Sequence, residues 1–320
     1  MSEFSKVFRE MCVIGDKKRD EHLRVSDKVM IYRDIPYIKG TKDVSNWMDI
    51  YLPGLQQVED STKHKKGAEK KFPVILSVHG GAYVYGNKEV YQYYGYYMAE
   101  QGFAFVNMNY HLAPEKKFPT QLGEVNAVLQ WILENGEEYQ LDTNNIFLVG
   151  DSAGAQMASH YCAIYANPDF AGLYPFTVPE HLVIRAVALN CGMYDIDASV
   201  EELYAAREEI AGMKQTVMLD DYLGLNRLNF DEMLKVKQNI TTKYPPAYIM
   251  TSYYDFLKTN AKPMYMLLQE KGVPAEYHLY GKEGQEYMGH VFHCNMNLEE
   301  ARECNRDECR FFREYLIRKM

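Results

Sequence analysis

The sequence predicts an α/β fold with a mostly parallel central sheet, helices on both faces and a helical cap. Three observations carry that expectation. Short apolar runs alternate with amphipathic helical patterns along most of the 320 residues. Residues 194–244 interrupt the alternation with helical patterns and no strand pattern, as an insert roofing the sheet would. A Gly-x-Ser-x-Gly pentapeptide, Gly150-Asp151-Ser152-Ala153-Gly154, lies where a strand pattern passes abruptly into a helix pattern.

Taken in order, residues 1–34 read as N-terminal cap helices, and the first part of the core spans 35–193. Its strand patterns are Met48 to Tyr51, Val74 to His79, Ala104 to Asn109, Ile146 to Val149 and Ile184 to Leu189. Its helix patterns are Glu89 to Gln101, Thr120 to Asn135 and Ser152 to Ala166. Between the first two strands, Asp60 to Lys71 is a lysine-rich, solvated loop. The cap insert, 194–244, holds helical patterns at Val200 to Ile210, Met218 to Leu223 and Phe230 to Gln238. The second part of the core, 245–320, adds strands Ala247 to Thr251 and Ala275 to Leu279 and helices Asn260 to Lys271 and Leu298 to Arg318. The last helix is amphipathic and is expected to close one side of the sheet. Open α/β sheets bind ligands at the C-terminal edge of their strands, so both cap segments are expected there.

Composition narrows the function. With 47% hydrophobic and 25% charged residues the chain reads as an ordinary globular protein. A net charge of −9 opposes a nucleic-acid footprint and attraction to an anionic membrane. The first twenty residues carry no continuous apolar stretch, and no run reaches the length of a membrane span. Six cysteines without paired spacing fit reduced thiols and a cytoplasmic home. Cys294, Cys304 and Cys309, beside His290 and His293, lack the C-x-x-C spacing of a zinc site, so no metal is expected. The Tyr run at 91, 93, 94, 96 and 97 reads as helix packing. A homo-oligomer is left open.

The pentapeptide points to a nucleophile. Ile146-Phe147-Leu148-Val149 before it reads as a buried strand, and Ala155 to Tyr161 after it contains good helix formers and no Gly or Pro. A sharp turn between them lifts Ser152 Oγ clear of the sheet, and Gly150 and Gly154 keep side chains out of the crowded turn. A serine hydroxyl needs a base, an acid to orient that base, and donors for the oxyanion. Chain order Ser, acid, His is expected in this architecture. His290, in a Gly-rich loop after the final strand pattern, suits the base, with His293 as the competing candidate. His278 lies within a strand pattern and reads as structural. Asp255 ends Thr251-Ser252-Tyr253-Tyr254-Asp255, just past a strand, and suits the acid; Asp195 is the runner-up. His79-Gly80-Gly81-Ala82, with flexible backbone after a strand, and the Ala153 amide at a helix N-terminus suit an oxyanion hole.

These residues resemble a known family. His79-Gly80-Gly81-Ala82, Tyr110-His111-Leu112-Ala113-Pro114-Glu115 and Gly150-Asp151-Ser152-Ala153-Gly154 look like the signature of hormone-sensitive-lipase-type carboxylesterases of the α/β-hydrolase fold. The similarity continues through Asp255-Phe256-Leu257 and His290-Val291-Phe292. The resemblance implies a Ser152, Asp255, His290 triad and an oxyanion hole of Gly80, Gly81 and Ala153. It also implies lids from the N-terminal helices and the 194–244 insert, and ester hydrolysis without metal or organic cofactor. His111 departs from the family's usual Arg, and the loop 281–293 is longer than usual. The lysine-rich loop has no counterpart.

The expected function is hydrolysis of small to medium acyl esters through an acyl-enzyme on Ser152. The cap's Met193, Tyr194, Tyr204, Met213, Met218 and Tyr222 hint at an apolar or aromatic pocket. A sugar-acetate esterase or an arylformamidase-like amide hydrolase would use the same triad, and acyl transfer is a further option. A non-catalytic ligand-binding module on the same fold is the alternative of another class.

Overall fold

A computed structural model describes residues 1–54, 70–194, 196, 209–210, 213–214, 216–224 and 230–317. Helix α1, Glu3–Asp20, is capped by Ser2, whose hydroxyl accepts the Ser5 amide. Strands β1 (Val29–Pro36), β2 (Trp47–Pro53) and β3 (Phe72–Val78) follow, then α2 (Gln92–Glu100), β4 (Ala104–Met108), α3 (Thr120–Asn135), β5 (Leu141–Asp151) and α4 (Ala153–Ala166). A short α5 (Pro168–Ala171) precedes β6 (Ile184–Asn190). In the cap region lie β7 (Glu209–Ile210), β8 (Met213–Lys214), α6 (Thr216–Leu223), α7 (Asp231–Leu234) and α8 (Val236–Asn239). The chain ends with β9 (Ala247–Ser252), α9 (Lys258–Glu270), β10 (Ala275–Tyr280) and α10 (Glu299–Glu314).

Eight strands form one sheet in the order β1-β2-β4-β3-β5-β6-β9-β10. β1, β2 and β4 pair antiparallel, and from β4 onward every pairing is parallel. The inner parallel strands β3, β4, β6 and β9 are buried on both faces, which is why they read as continuous apolar runs, whereas β10 at the edge is only partly buried. One apolar layer packs α3, α4 and α9 on the sheet, and the other packs α2 and α10. α10 buries Ala301, Cys304, Asn305, Glu308, Cys309 and Phe312, spaced three and four apart, so one stripe of the helix faces the sheet. Among the described residues no helix is long and apolar enough to cross a membrane.

Two expectations about the caps change. Residues 1–34 hold one helix, not several, and Val29–Pro36 is the edge strand of the main sheet. Its alternation is broken by a register shift between Tyr32 and Ile35, where Asp34 has φ of 56°. The region read as strand-free contains the small antiparallel pair Glu209–Ile210 and Met213–Lys214. The helix expected at Val200 to Ile210 otherwise lies outside the described residues, as do Asp195, Tyr204 and most of the lysine-rich loop.

Candidate active site

Ser152 stands between β5 and α4 with φ of 53° and ψ of −120°, a conformation costly for a residue with a Cβ and seen where surroundings enforce it. Its amide donates to the Asn190 carbonyl at the end of β6 (2.9 Å), and its carbonyl accepts the Gln156 amide (3.1 Å). A Cβ on Gly154 would lie 2.0 Å from the Val78 carbonyl oxygen, and one on Gly150 would lie 2.3 Å from the Gly154 carbonyl oxygen. Only glycine lets β3, β5 and α4 approach this closely.

His290 reaches the serine from the loop after β10. Its Nε2 lies 2.9 Å from Ser152 Oγ and its Nδ1 lies 2.7 Å from Asp255 Oδ1. Asp255, just past β9, is 2% exposed; its Oδ2 accepts the Thr251 hydroxyl (2.7 Å) and its Oδ1 accepts the Leu257 amide (2.9 Å). A carboxylate can only accept, so Nδ1 is the ring nitrogen that carries hydrogen, and Nε2 accepts from the serine hydroxyl. Burial would push the Asp255 carboxyl up, but the bonds from His290, Thr251 and Leu257 hold it below its ordinary range. Phe256, half exposed, lays its ring against the imidazole with centroids 4.3 Å apart. Cys191 also lies beside Asp255 and His290, but burial pushes its thiol well above the ordinary range, which keeps it a neutral neighbour.

The amides around Ser152 divide differently from the sequence expectation. Gly80 N–H donates to Asp151 Oδ1 (3.1 Å) and to the Tyr91 hydroxyl (3.0 Å), and Tyr91 donates in turn to Asp151 Oδ2 (2.7 Å). It is therefore occupied and not available to an oxyanion, which corrects that assignment. The Gly81, Ala82 and Ala153 amides donate to no protein acceptor among the described residues, and all three residues line the cavity at Ser152. Gly81, Ala82 and Tyr83 have consecutive positive φ angles of 107°, 53° and 66°, which turn successive N–H groups toward one concavity. Nothing in the sequence separates Gly80 from Ala82; the choice lies in that turn's dihedrals.

The other candidates are elsewhere. His293 is 1% exposed, set edge-on against Tyr94 at 5.5 Å, and burial lowers its pKa to about 3, so it is a neutral core residue. Its carbonyl accepts Asn305 Nδ2 (2.9 Å), tying it to α10. His278 stacks on Tyr248 and bonds Glu276. His111 bridges Glu124 and Asp43 and so braces its loop. Cys294, Cys304 and Cys309 are each buried in the apolar layer under α10, and among the described residues they form no ligand cluster.

A cavity of about 340 Å³ opens over Ser152. Its roof is α1, through Phe4, Phe8 and Met11, with Leu219 of α6 and Met193 beside them. Tyr222 does not line it, but stacks on Tyr83 at 3.8 Å and ties α6 to the glycine loop. Sequence reading missed Asp151, Tyr91 and the residues of α1, whose roles appear only when distant segments meet.

The model of the alpha/beta hydrolase fold family matches residues 75–293. A protein of Acanthamoeba polyphaga mimivirus, named an alpha/beta hydrolase, is 39% identical over 220 residues, 66% of this chain; the match spans 60% of that relative's length. An acetyl esterase of Salmonella schwarzengrund is 21% identical over 256 residues, covering 75% of this chain and 71% of the relative. Among solved structures, esterase B from Lactobacillus rhamnosis superposes with a TM-score of 0.83 at 22% identity, covering 97% of this chain and 93% of that one.

Proposed function

The chain belongs to the alpha/beta hydrolase family, in the hormone-sensitive-lipase-type branch that its motifs resemble, and we propose that it is a serine carboxylesterase. The observation that carries this reading is the unbroken line Ser152 Oγ, His290 Nε2, His290 Nδ1, Asp255 Oδ1, with unpaired amides beside the serine. Ser152 Oγ attacks the ester carbonyl carbon while His290 Nε2 takes the hydroxyl proton. The carbonyl oxygen becomes an oxyanion held by the Gly81, Ala82 and Ala153 amides, the last at the N-terminus of α4. On collapse the C–O bond to the alcohol breaks, and the imidazolium returns its proton to the leaving oxygen. Water then repeats the sequence on the acyl-enzyme, releasing the acid and restoring Ser152. Asp255 fixes the ring's tautomer and balances the imidazolium charge.

A cavity of about 340 Å³ is at the small end for ligand sites, which supports a small to medium acyl ester. Its apolar roof of Phe4, Phe8 and Met11 favours an aliphatic acyl group, because sugar hydroxyls set against that roof would lose water without gaining partners there. The test is release of p-nitrophenol from acetate and butyrate esters, together with labelling by a fluorophosphonate. Wild type is expected to hydrolyse both esters and to take one label on Ser152. Ser152→Ala is expected to do neither. A folded wild type that binds the esters without turnover or labelling makes the chain a binding module.

A further inference from the structure

We propose that Arg9, on the roof helix α1, is a positioning residue for the oxyanion hole, so that roof and hole form one unit. The side chain is one quarter exposed and uses all three guanidinium nitrogens. Nε donates to the Val84 carbonyl and Nη2 to the Ala113 carbonyl (2.8 Å). Nη1 and Nη2 also grip the two carboxylate oxygens of Glu115 at 3.0 and 2.9 Å. The two carbonyls belong to the backbone that carries the hole. Val84 and Tyr85 donate their amides to the Gly81 carbonyl (3.0 and 2.9 Å), and Ala113 donates to the Tyr83 carbonyl (2.8 Å). Arg9 therefore closes a ring around Gly81, Ala82 and Tyr83.

That ring matters because these three residues hold consecutive positive φ angles, two of them with side chains. Such backbone persists only where its surroundings over-determine it. On one flank the turn is fixed by Gly80 bonding Asp151 and Tyr91. On the other flank Tyr83 is held by its stack on Tyr222 and its hydroxyl's bond to Gln156, and the Arg9 fork joins the Val84 and Ala113 carbonyls beyond it. A lysine cannot replace it, because one ammonium on a flexible stem does not span two carbonyls and a carboxylate in plane. Phe8, the residue before Arg9, lines the cavity, so the same turn of α1 touches the substrate space and grips the loop. Movement of α1 away from the cavity would release the hole's donors with it.

The inference rests on the esterase reading and on the Gly81, Ala82 and Ala153 hole. The experiment compares wild type, Arg9→Ala, Arg9→Lys and Glu115→Gln for kcat and KM on p-nitrophenyl butyrate. It adds inhibition by butylboronic acid, whose tetrahedral serine adduct places an oxygen in the hole. Removing one oxyanion donor costs roughly 10²–10³ in kcat, and a loosened hole is expected to lose about 10–100-fold. Arg9→Ala should show that loss with KM within about threefold and with boronate affinity reduced in step with kcat. Arg9→Lys keeps the charge facing Glu115 but not the carbonyl bonds, and should recover little. Glu115→Gln keeps the carbonyl bonds and should stay within about threefold of wild type. If Arg9→Ala does not fold, Arg9→Lys against Glu115→Gln decides the question alone. Arg9 variants with unchanged kcat and boronate affinity, or with the whole effect in KM, overturn the proposal and leave a roof-pinning ion pair. A wild type that takes no fluorophosphonate label fails earlier, at the esterase reading.

Discussion

Asp255→Asn separates orientation of the base from stabilisation of its charge. Two donors, the His290 ring N–H at 2.7 Å and the Leu257 amide at 2.9 Å, converge on Oδ1, whereas Oδ2 meets one hydroxyl, Thr251 Oγ1, at 2.7 Å. An asparagine would place its carbonyl oxygen toward the two donors and its NH₂ toward Thr251. The threonine hydroxyl can rotate to accept. The His290 tautomer should therefore survive, and what is lost is the carboxylate's charge opposite the imidazolium. Two unit charges about 4 Å apart interact by about 4 kcal/mol at an effective dielectric of about 20. A neutral hydrogen bond returns part of this, so the barrier should rise by about 3–4 kcal/mol, or 10²–10³-fold in kcat/KM. That is milder than the roughly 10⁴-fold loss seen in a triad whose equivalent substitution leaves the wrong tautomer. The assay is p-nitrophenyl butyrate hydrolysis at pH 8, with thermal unfolding to verify that the variant is folded. A loss below tenfold would remove the Asp255 charge from stabilisation of the imidazolium. A loss equal to that of Ser152→Ala would refute the argument that the tautomer is kept.

Three further outcomes follow from the packing. His293→Phe should keep kcat within about threefold of wild type and His290→Asn should lose at least about 10³-fold, because burial leaves His293 neutral against Tyr94 with no bond to the serine; steady-state kinetics decide. Gly154→Ala should cost about 4 kcal/mol or prevent folding, since its Cβ would meet the Val78 and His79 carbonyl oxygens at 2.0 and 2.6 Å; Gly123→Ala in α3 meets only the Phe176 ring at 3.5 Å and should gain about 0.5–1 kcal/mol by urea unfolding. Glu308, buried on α10 between Tyr94 and Asn190 with Asp151 near, has its pKa raised by burial from 4.5 to about 7. A raised carboxyl favours the folded state fully below its unfolded pKa and loses that contribution as pH rises through the folded value. Glu308→Gln should therefore gain on wild type by about 3 kcal/mol between pH 4.5 and 8 in urea titrations; a difference that does not change with pH would contradict this.

What the sequence made legible, and what it did not, follows from how far each feature reaches. Ser152 and Asp255 sit just beyond a strand and His290 lies in the glycine-rich loop after the last one, and a strand ending in a turn leaves a local pattern of apolar run, glycine and polar residue. The parallel strands showed for the same reason: burial on both faces makes Val74 to Val78 or Ile184 to Leu189 almost wholly apolar. β1 hid because its irregularity at Arg33 and Asp34 shifts the alternation by a residue and because, as an edge, it exposes charge. The polar lead-in Asp142 to Asn145 hid the start of β5, where Leu141 and Asp142 pair with Phe72 and Pro73 before a break in register at Ile146.

The donors of the hole lay beyond reach for a different reason. Gly80 and Gly81 look alike in sequence, yet one amide is turned to Asp151 and the other to the cavity. That division depends on a turn held by Tyr91, Asp151 and Arg9, which come from α1, the start of α2 and the end of β5. Side chains that react announce themselves by local context. The amides that stabilise charge are aimed by tertiary contacts, so the catalytic power of this site is set by segments that carry no catalytic motif. The N-terminal helix is the foremost of these. It is expected to affect turnover without touching the ester, by the roughly 10–100-fold of a loosened hole, because through Arg9 it holds the backbone on which the oxyanion forms.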